Sequence, residues 1–277
     1  MRILTVGDNC VDWYVDENRI CPGGNAVNVA VFAQRLGVDT AYIGQLGDDA
    51  GGDLIFNALS AEGVDVSHVR RSPGNTAYAT IGIVDGDRIF RGSSSGVVAM
   101  QLNEADIEFA TNASVIHTGA HSFMEGSLPL LSRAAPVSFD FTTRPFHYCE
   151  PLLKHVTFAS FSRANFSREE VKALIDTAHS HGVRDVYVTQ GEDGSWSSDG
   201  ETVHFQPATP VPIVVDTMGA GDTYIAAMLK ARLSGLSIAE SAEIASRVAA
   251  ATCTRSGAIG YCGASDHMKE ALDYKTV

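Results

Sequence analysis

The sequence has 277 residues, of which 45% are hydrophobic and 8% are aromatic, as in an ordinary globular protein. This length accommodates one large α/β domain with a small appendage, or two modest domains. The net charge of −13 argues against nucleic acid and anionic membranes as partners, because both require a basic protein face. A small phosphate ligand remains possible, since a local group of backbone amides can bind it.

The chain opens with an apolar run at residues 3–6, which predicts a buried strand that ends at Gly7. Asp8 and Asp12 follow in a polar segment, at the carboxyl end where open α/β sheets bind ligands. Aspartates in a loop are also common turn formers, so both roles stay open. An acidic residue this early is not typical of a signal peptide, and no apolar run approaches the length of a membrane span. These features favour the cytosol.

A glycine pair introduces the first predicted helix. Gly23 and Gly24 precede an apolar pattern that predicts a helix through Leu36, and glycine allows a backbone to approach a ligand closely. Asn25 and Asn28 lie one turn apart on the same helix face, where they could bind one ligand. A helix cap with a solvated asparagine has the same pattern.

A second strand at residues 40–44 and an amphipathic helix at 52–61 continue an alternation of strands and helices. This alternation favours a parallel sheet with right-handed crossovers. Two strand-like runs at 76–84 and 88–90 then flank an Asp-Gly-Asp turn at 85–87, which is a strong hairpin signal. No helix follows the hairpin at once, so one of its faces needs another partner.

From residue 103 the alternation resumes, with strands predicted at 115–117, 137–140 and 157–159. His117, His121 and Asp140 lie at or just beyond the carboxyl ends of these strands. Each is therefore a candidate site residue, although a histidine in such a position is commonly structural or solvated. Asp140 is the preferred candidate of the three.

A capping box predicts a helix over residues 167–180, and the next strand is predicted at 185–189. The strand leads into a Thr-x-Gly-x-x-Gly loop formed by Thr189, Gly191 and Gly194. As an isolated pattern this loop is a weak signal.

The most informative stretch, residues 216–222, reads Asp-Thr-Met-Gly-Ala-Gly-Asp. An apolar run at 211–215 predicts a strand before it, and residues 224–233 predict an apolar helix after it. A second capped helix, predicted at 237–251, ends before Ser256. The stretch is therefore an acid-flanked turn of small residues between two apolar elements.

The chemistry of this turn is specific. Gly219, Ala220 and Gly221 leave backbone N–H groups without helical partners, which makes a cradle for an anion. Asp222 would repel that anion unless it takes a proton from a nucleophile that attacks it. Phosphoryl transfer to a hydroxyl requires this combination. In the alternative interpretation, Asp222 merely complements the dipole of the following helix.

The five cysteines are odd in number and include no C-x-x-C pair, so the sequence predicts neither a disulfide framework nor a zinc site. They are Cys10, Cys21, Cys149, Cys253 and Cys262.

The run from Asp216 to Asp222 resembles the carboxyl-terminal signature of the PfkB (ribokinase-like) carbohydrate kinases, and the resemblance covers essentially the whole chain. It implies an ATP-dependent kinase with a three-layer α/β/α fold, a mostly parallel central sheet and a small β-sheet lid. It also implies that Asp222 is the catalytic base. The amides of Gly219, Ala220 and Gly221 would form the anion hole.

The resemblance implies the remaining site residues as well. Substrate-binding residues are expected to be Asp8, Asp12, Gly24, Asn25, Asn28, Arg88 and Asp140. Nucleotide-binding residues are expected to be Ser160, Thr189, Gly191, Gly194, Thr217 and Gly257. Mg²⁺ would be held mainly through ATP and water, and a K⁺ site near Asp216 and Gly257 is a further expectation.

The sequence departs from the family pattern in one place. Members usually carry Asn-x-x-Glu after the strand predicted at 157–159, and the glutamate helps to hold magnesium, whereas this chain reads Ser160 to Arg163. Either Asp140 and ATP hold the metal while Arg163 neutralises phosphate, or the chain has lost catalysis and binds ligand only. Retention of Asp222 favours the first alternative.

The resemblance also implies one domain over residues 1–277, with lid strands at about 11–22 and 75–92 that cover the sugar. Exposed lid strands invite pairing between subunits, so a homodimer through the lid is expected.

Within the family, the chain looks most like the fructoselysine (fructosamine) 6-kinases, which phosphorylate O6 of a fructose joined to an amino acid amine. Asp8 could then pair with the substrate ammonium, and Arg88 with a carboxylate. Fructose, a nucleoside and 2-keto-3-deoxygluconate remain alternative acceptors, and a catalytically impaired sugar-binding regulator is an alternative function. An oxidoreductase or a P-loop kinase is disfavoured, because no complete G-x-G-x-x-G follows a strand and no G-x-x-x-x-G-K-[ST] occurs.

Overall fold

The computed structural model describes the backbone of residues 1–84 and 87–265 and the side chains of residues 1–82 and 91–265. In this part of the chain the helices are α1 (Asn25–Arg35), α2 (Ala50–Ala61), α3 (Glu104–Ala110), α4 (Leu128–Ala134), α5 (Phe146–Leu153), α6 (Arg168–Ser180), α7 (Ala220–Leu233) and α8 (Ile238–Thr252). The strands are β1 (Arg2–Val6), β2 (Cys10–Tyr14), β3 (Arg19–Gly23), β4 (Asp39–Gly47), β5 (Asp65–Ser72), β6 (Tyr78–Val84), β7 (Asp87–Ser94), β8 (Val115–Gly119), β9 (Val137–Asp140), β10 (Phe158–Ser162), β11 (Asp185–Thr189), β12 (Ser195–Ser198), β13 (Val203–Gln206) and β14 (Gly263–Ala264).

A nine-stranded sheet forms the centre of the molecule, in the order β13-β12-β11-β10-β9-β8-β1-β4-β5. Every pairing from β11 to β5 is parallel, whereas β12 and β13 pair antiparallel at one edge. The prediction of a mostly parallel sheet is confirmed. Because parallel strands share a direction, the segments that follow their carboxyl ends meet at one edge of the sheet.

Helices cover both faces of this sheet. Ile3 packs with residues of α1, α2, α7 and α8, whereas Leu4, one position later, packs with residues of α4, α5 and α6. Successive strand residues point to opposite faces, so β1 is buried on both sides and reads as a continuous apolar run. The predicted ribokinase-like three-layer fold is confirmed. No helix among the described residues is long and apolar enough to cross a membrane.

A second, smaller sheet has the strand order β14-β3-β2-β6-β7. Its first strand, β2, begins directly after the loop that follows β1. In the sequence, strands β2, β3, β6 and β7 overlap the two segments that were predicted as the lid, residues 11–22 and 75–92. Strands β6 and β7 pair antiparallel, with Val84 opposite Asp87. Residues 85 and 86 of the predicted hairpin turn lie outside the described part. Trp13 and Tyr14 of β2 are both buried.

The predicted strand at residues 211–215 is wrong. This segment has no secondary structure, and the N–H groups of Val215 and Asp216 donate to the carbonyl of Cys253 instead of to a strand. Pro210 and Pro212 lack the N–H group that a sheet ladder needs. Ile213 is 70% exposed, so the apolar pattern did not reflect burial.

The prediction of no disulfide is also wrong. Cys21 of β3 and Cys262, just before β14, form a disulfide across 241 sequence positions. The bond lies where β14 pairs antiparallel with β3, which brings two residues together that are far apart in the chain. Rules based on short spacings between cysteines cannot predict a disulfide between residues so far apart in the sequence.

We expect the double variant Cys21→Ser, Cys262→Ser to lose about 2–5 kcal/mol of unfolding free energy, because the bond closes a very long loop. Urea unfolding measures the loss. Reducing agent should lower the stability of the wild-type protein to the same level and leave the double variant unchanged. A wild-type protein whose unfolding midpoint does not respond to reducing agent would contradict this expectation.

Candidate active site

The site forms at the carboxyl edge of the large sheet. Asp8 follows β1, Asp140 ends β9, and Thr189 ends β11, while the N-termini of α1 and α7 approach from one face of the sheet. The residues predicted from three separate parts of the sequence therefore meet in one place. The small sheet contributes Asp12 from β2 to the same region.

Asp222, the predicted base, is held by two asparagine amides. Nδ2 of Asn25 donates to Oδ1 of Asp222 at 2.7 Å, and Nδ2 of Asn28 donates to Oδ2 at 2.7 Å. The two asparagines lie one turn apart on α1, so their side chains reach the same carboxylate from one helix face. Both were predicted to bind substrate, and in the structure both contact the predicted base.

The protonation of Asp222 depends on competing effects. Burial raises the pKa of Asp222 to about 6, the hydrogen bonds from Asn28 and Asn25 oppose this rise, and the charge of Asp8 adds to it. At neutral pH the carboxylate is therefore mostly ionised and able to accept a proton. A base with a pKa slightly below the working pH suits general base catalysis.

Asp8 holds the N-terminus of α1. Its Oδ2 accepts from the backbone N–H of Asn25 at 2.8 Å, and its Oδ1 accepts from the N–H of Ala26 at 3.2 Å and from Oγ of Ser122 at 2.7 Å. Gly24, the N-cap, has no side chain to perform this role, and a Cβ there would lie 2.6 Å from Cα of Asn9. Asp8 therefore caps the helix from a distant part of the chain.

Asp12 lies on β2 and is buried with 6% of its surface exposed. No hydrogen bond to its carboxylate occurs among the described residues, and its nearest neighbours include Gly23, where a Cβ would lie 2.5 Å from Oδ2. Burial and, to a smaller extent, the charges of Asp222 and Asp216 together raise the pKa of Asp12 to about 7. This carboxylate therefore favours a hydrogen-bond donor or a cation supplied by a ligand.

Asp140 is the third buried carboxylate. Its Oδ1 accepts from the N–H of Thr142 at 2.9 Å and its Oδ2 from Nδ2 of Asn25 at 3.2 Å. Burial raises the pKa of Asp140 to about 7, and the charge of Asp222 is among the effects that favour the protonated form. Asn25 therefore donates to Asp140 and Asp222 with one amide nitrogen.

The predicted anion cradle lies at the start of α7. Gly219 is the N-cap with φ of 76°, and a Cβ there would lie 2.7 Å from Cβ of Ala258. Apart from its chain neighbours and the backbone of its own helix, no atom of the described residues lies within 4 Å of a Cβ built at Gly221, so this position faces open space. The N–H of Ala220 donates to the carbonyl of Thr217 at 3.2 Å, which forms the turn. Such a terminus attracts an anion.

A cavity of about 690 Å³ adjoins this cradle. Its lining includes six residues predicted from the sequence, namely Thr189, Gly191, Gly194, Thr217, Ala220 and Gly221. The segment 208–211 and residues of α8, including Ala249 and Ala250, complete the walls. Its volume and its mixture of apolar walls with a helix N-terminus suit a nucleotide.

Two residues predicted for the nucleotide do not line this cavity. Ser160 lies on β10 next to Asp140, and its Oγ is buried without a hydrogen-bond partner among the described residues. Gly257 lies on the other side of Asp216 and donates its N–H to Oδ2 of that residue at 2.9 Å. Tyr14 Oη and the N–H of Met218 also donate to the Asp216 carboxylate.

Arg163 packs into the protein and does not line the cavity. Its Nη1 donates to the carbonyls of Thr142 and Ser162, and its Nη2 donates to that of Arg144. Its guanidinium also lies 5.3 Å from the ring centre of Phe161. These contacts hold the loops after β9 and β10 together and do not match the expected role of neutralising phosphate.

The remaining predicted residues differ in how the structure places them. The side chain of Arg88 lies outside the described residues, although its backbone pairs with Ile83. His121 is exposed, whereas His117 is fully buried and contacts Asn25. Ser122, which sequence reasoning missed, contacts Asp8, and only its position just after a strand could have indicated it.

A cavity lined by the start of α7, together with a buried carboxylate, Asp222, in the first turn of the same helix, is the arrangement that a carbohydrate kinase needs. The family model described as pfkB family carbohydrate kinase matches residues 3–139 and 157–263, and the chain belongs to this family of ATP-dependent carbohydrate kinases. The predicted resemblance is confirmed.

Two curated relatives cover most of the chain. The chain is 39% identical to "Fructosamine kinase FrlD" of Bacillus subtilis, over 94% of each protein. It is 35% identical to "Fructoselysine 6-kinase" of Escherichia coli, over 92% of this chain and 98% of the relative.

Solved structures share the fold. Ribokinase of Arabidopsis thaliana, complexed with ribose and ATP, superposes with a TM-score of 0.81 at 23% identity, over 99% of each chain. Fructokinase of Xylella fastidiosa with bound ATP superposes with a TM-score of 0.79 at 21% identity, over 98% of each chain. At these identities the superpositions establish the fold.

The glycines of the cradle offer a matched pair of variants. Gly219→Ala is expected to lower the free energy of unfolding by about 2 kcal/mol, because its Cβ would meet Ala258 and its φ is positive. Gly221→Ala should leave this free energy within about 0.5 kcal/mol of wild type, because its Cβ enters open space. Urea unfolding compares the two. Equal stabilities would contradict the described geometry.

Proposed function

We propose that this kinase transfers the γ-phosphate of ATP to O6 of a fructose joined to an amine, as in fructoselysine. The observation that carries this proposal is the group of three buried carboxylates, Asp12, Asp140 and Asp222, whose pKa values are raised by burial and by the charges of neighbouring carboxylates. A neutral sugar would leave this repulsion in place. A sugar with an ammonium group would relieve it, because a nearby cation stabilises ionised carboxylates.

The identities to fructosamine and fructoselysine kinases support the same substrate class. Among the carboxylates, Asp12 is the best partner for the ammonium, since it accepts no hydrogen bond from the described residues. Asp8 supports the site in another way, because three donors from α1 and Ser122 already surround it. Arg88 remains a proposed partner for the substrate carboxylate.

In the proposed reaction, Asp222 takes the proton of the acceptor hydroxyl as its oxygen attacks the γ-phosphorus. The bond from the γ-phosphorus to the β,γ-bridging oxygen breaks, and ADP leaves. The N-terminal amides of α7, at Gly219, Ala220 and Gly221, stabilise the negative charge of the transferring group. Asn25 and Asn28 orient the base, and its position beside the cradle keeps the reacting atoms close.

No group of three or more His, Cys, Asp or Glu side chains among the described residues could hold a metal ion. Mg²⁺ is proposed to be held mainly through the phosphates of ATP and water, where it would neutralise the phosphate charge. For K⁺, Asp216 remains the proposed position, although three hydrogen-bond donors already contact its carboxylate.

We also propose that the small sheet closes over the acceptor and excludes water, which would otherwise compete for the phosphoryl group. Asp12 lies on its strand β2, so closure would place this carboxylate against the sugar. Pairing of two subunits through this sheet, within a single-domain chain, is the proposed assembly.

ADP release tests the proposed reaction, measured with fructoselysine, other fructosamines, fructose, ribose and adenosine. Asp222→Asn is expected to lower kcat by about 10²–10⁴, the usual contribution of a general base. Asp176→Asn, at an exposed position on α6, is the control and should retain full activity. Thermal stabilisation by a sugar without turnover of any acceptor would instead favour a sugar-binding regulator.

Asp12→Asn tests the ammonium contact. It should lower kcat/KM for fructoselysine by about tenfold more than for fructose, because only the conjugate carries a cation. The comparison of the two acceptors in one variant removes effects of folding and of ATP binding. Equal losses for both acceptors would assign Asp12 to the sugar hydroxyls alone.

A further inference from the structure

A buried histidine contacts the site without reaching the cavity. His117 of β8 has no exposed surface, and its two ring nitrogens each have one partner. Nδ1 lies 2.9 Å from Oγ of Ser138 on the adjacent strand β9, and Nε2 lies 2.9 Å from Oδ1 of Asn25. The mechanism described above does not use this residue.

The partners of His117 define its tautomer. The amide oxygen of Asn25 can only accept, so Nε2 of His117 must carry the proton. Burial lowers the pKa of His117 to about 3, which keeps the ring neutral. Nδ1 therefore accepts, and the hydroxyl of Ser138 donates to it. The chain of donors runs from Ser138 through His117 to Asn25.

The nitrogen of the Asn25 amide is also restricted to one position by its hydrogen-bond partners. Its nitrogen lies 2.7 Å from Asp222 and 3.2 Å from Asp140, so a rotated amide would present its oxygen to two carboxylates. Gly119, two residues after His117, makes room for the observed orientation, because a Cβ there would lie 2.7 Å from Oδ1 of Asn25.

We propose that His117 is a positioning residue, which donates from Nε2 to Oδ1 of Asn25 and thereby directs the amide nitrogen of Asn25 at the catalytic base. The backbone N–H of Asn25 is already fixed by Asp8, so His117 fixes the side chain of the same residue. This role rests on the proposed function, in which Asp222 is the base.

The second amide on Asp222 provides a contrast. Oδ1 of Asn28 is buried without a hydrogen-bond partner among the described residues. Among the described residues, no contact comparable to that from His117 fixes the orientation of the Asn28 amide, which leaves its oxygen available to a donor of the ligand. His117 therefore makes Asn25 the fixed member of the pair.

Variants of His117 test this role through its donor. His117→Leu should lower kcat by about tenfold and leave KM for ATP within about twofold, because the cavity for the nucleotide is not altered. His117→Gln should recover kcat to within about threefold of wild type, since its amide nitrogen can occupy the position of Nε2.

His179 supplies the matched control. Both of its ring nitrogens are also hydrogen-bonded, one of them to Oγ of Ser198, but it lies on α6 away from the carboxylates. His179→Leu should therefore reduce stability without lowering kcat. If Leu and Gln at position 117 lower kcat equally in folded protein, or if neither lowers it, His117 has no positioning role.

Nitrogen-15 NMR of the histidine rings gives a readout that needs neither activity nor a variant that folds. At pH 7 the wild-type protein should show His117 neutral, with its proton on Nε2. A proton on Nδ1, or a charged ring, would overturn the proposal. Activity that survives Asp222→Asn would instead remove the proposed base and leave the histidine spectrum unchanged, so the two failures are distinguishable.

Discussion

The site depends on keeping several carboxylates out of water beside one another. The first two turns of α1 make this possible, because they supply both backbone and side-chain donors to them. The N–H groups of Asn25 and Ala26 hold Asp8, and the amides of Asn25 and Asn28 hold Asp222. Hydrogen-bond donors offset the cost of burying a charge, so the Asn25 and Asn28 amides of α1 oppose the rise in the pKa of Asp222 that burial causes.

A second negative group, an anionic ligand, can be accommodated a short distance from these carboxylates. The N-terminus of α7 attracts an anion, although Asp222 lies in its first turn and the protein as a whole carries a charge of −13. The two demands are compatible because backbone amides act over a few ångströms, whereas the global charge is screened by salt. Asp222 lies at the boundary, where a cationic acceptor and an anionic donor of phosphate would meet.

Local patterns in the sequence predicted most of the fold. The capping boxes at Ser167 and Ser237 marked the starts of α6 and α8 correctly, because a cap depends on residues three positions apart. The strand predicted from the apolar segment at 211–215 was wrong, because apolar residues of this kind can either pair in a sheet or line a cavity, as Val211 and Val214 do. Strand β5 was not predicted, because it is a partly exposed edge strand without an apolar alternation.

For the site, the motifs singled out Asn25, Asn28 and Asp222, which lie in contact, but they did not predict what each residue contacts. That Asp8 caps α1, or that His117 reaches Asn25 across 92 positions, follows only from the way α1 packs against the sheet in the folded chain. The pair Cys21 and Cys262 was missed for the same reason. Contacts between distant parts of the chain leave no spacing that can be read in the sequence.

Asp216 connects three parts of the molecule through one side chain. Its Oδ2 accepts from Tyr14 at the end of β2 and from Gly257 after α8, and its Oδ1 accepts from Met218 ahead of α7. A hydrogen bond to a charged group contributes about 1.5–3 kcal/mol, so separating the small sheet from the start of α7 has a definite cost. The same carboxylate therefore links the position of β2 to the turn that precedes the anion cradle.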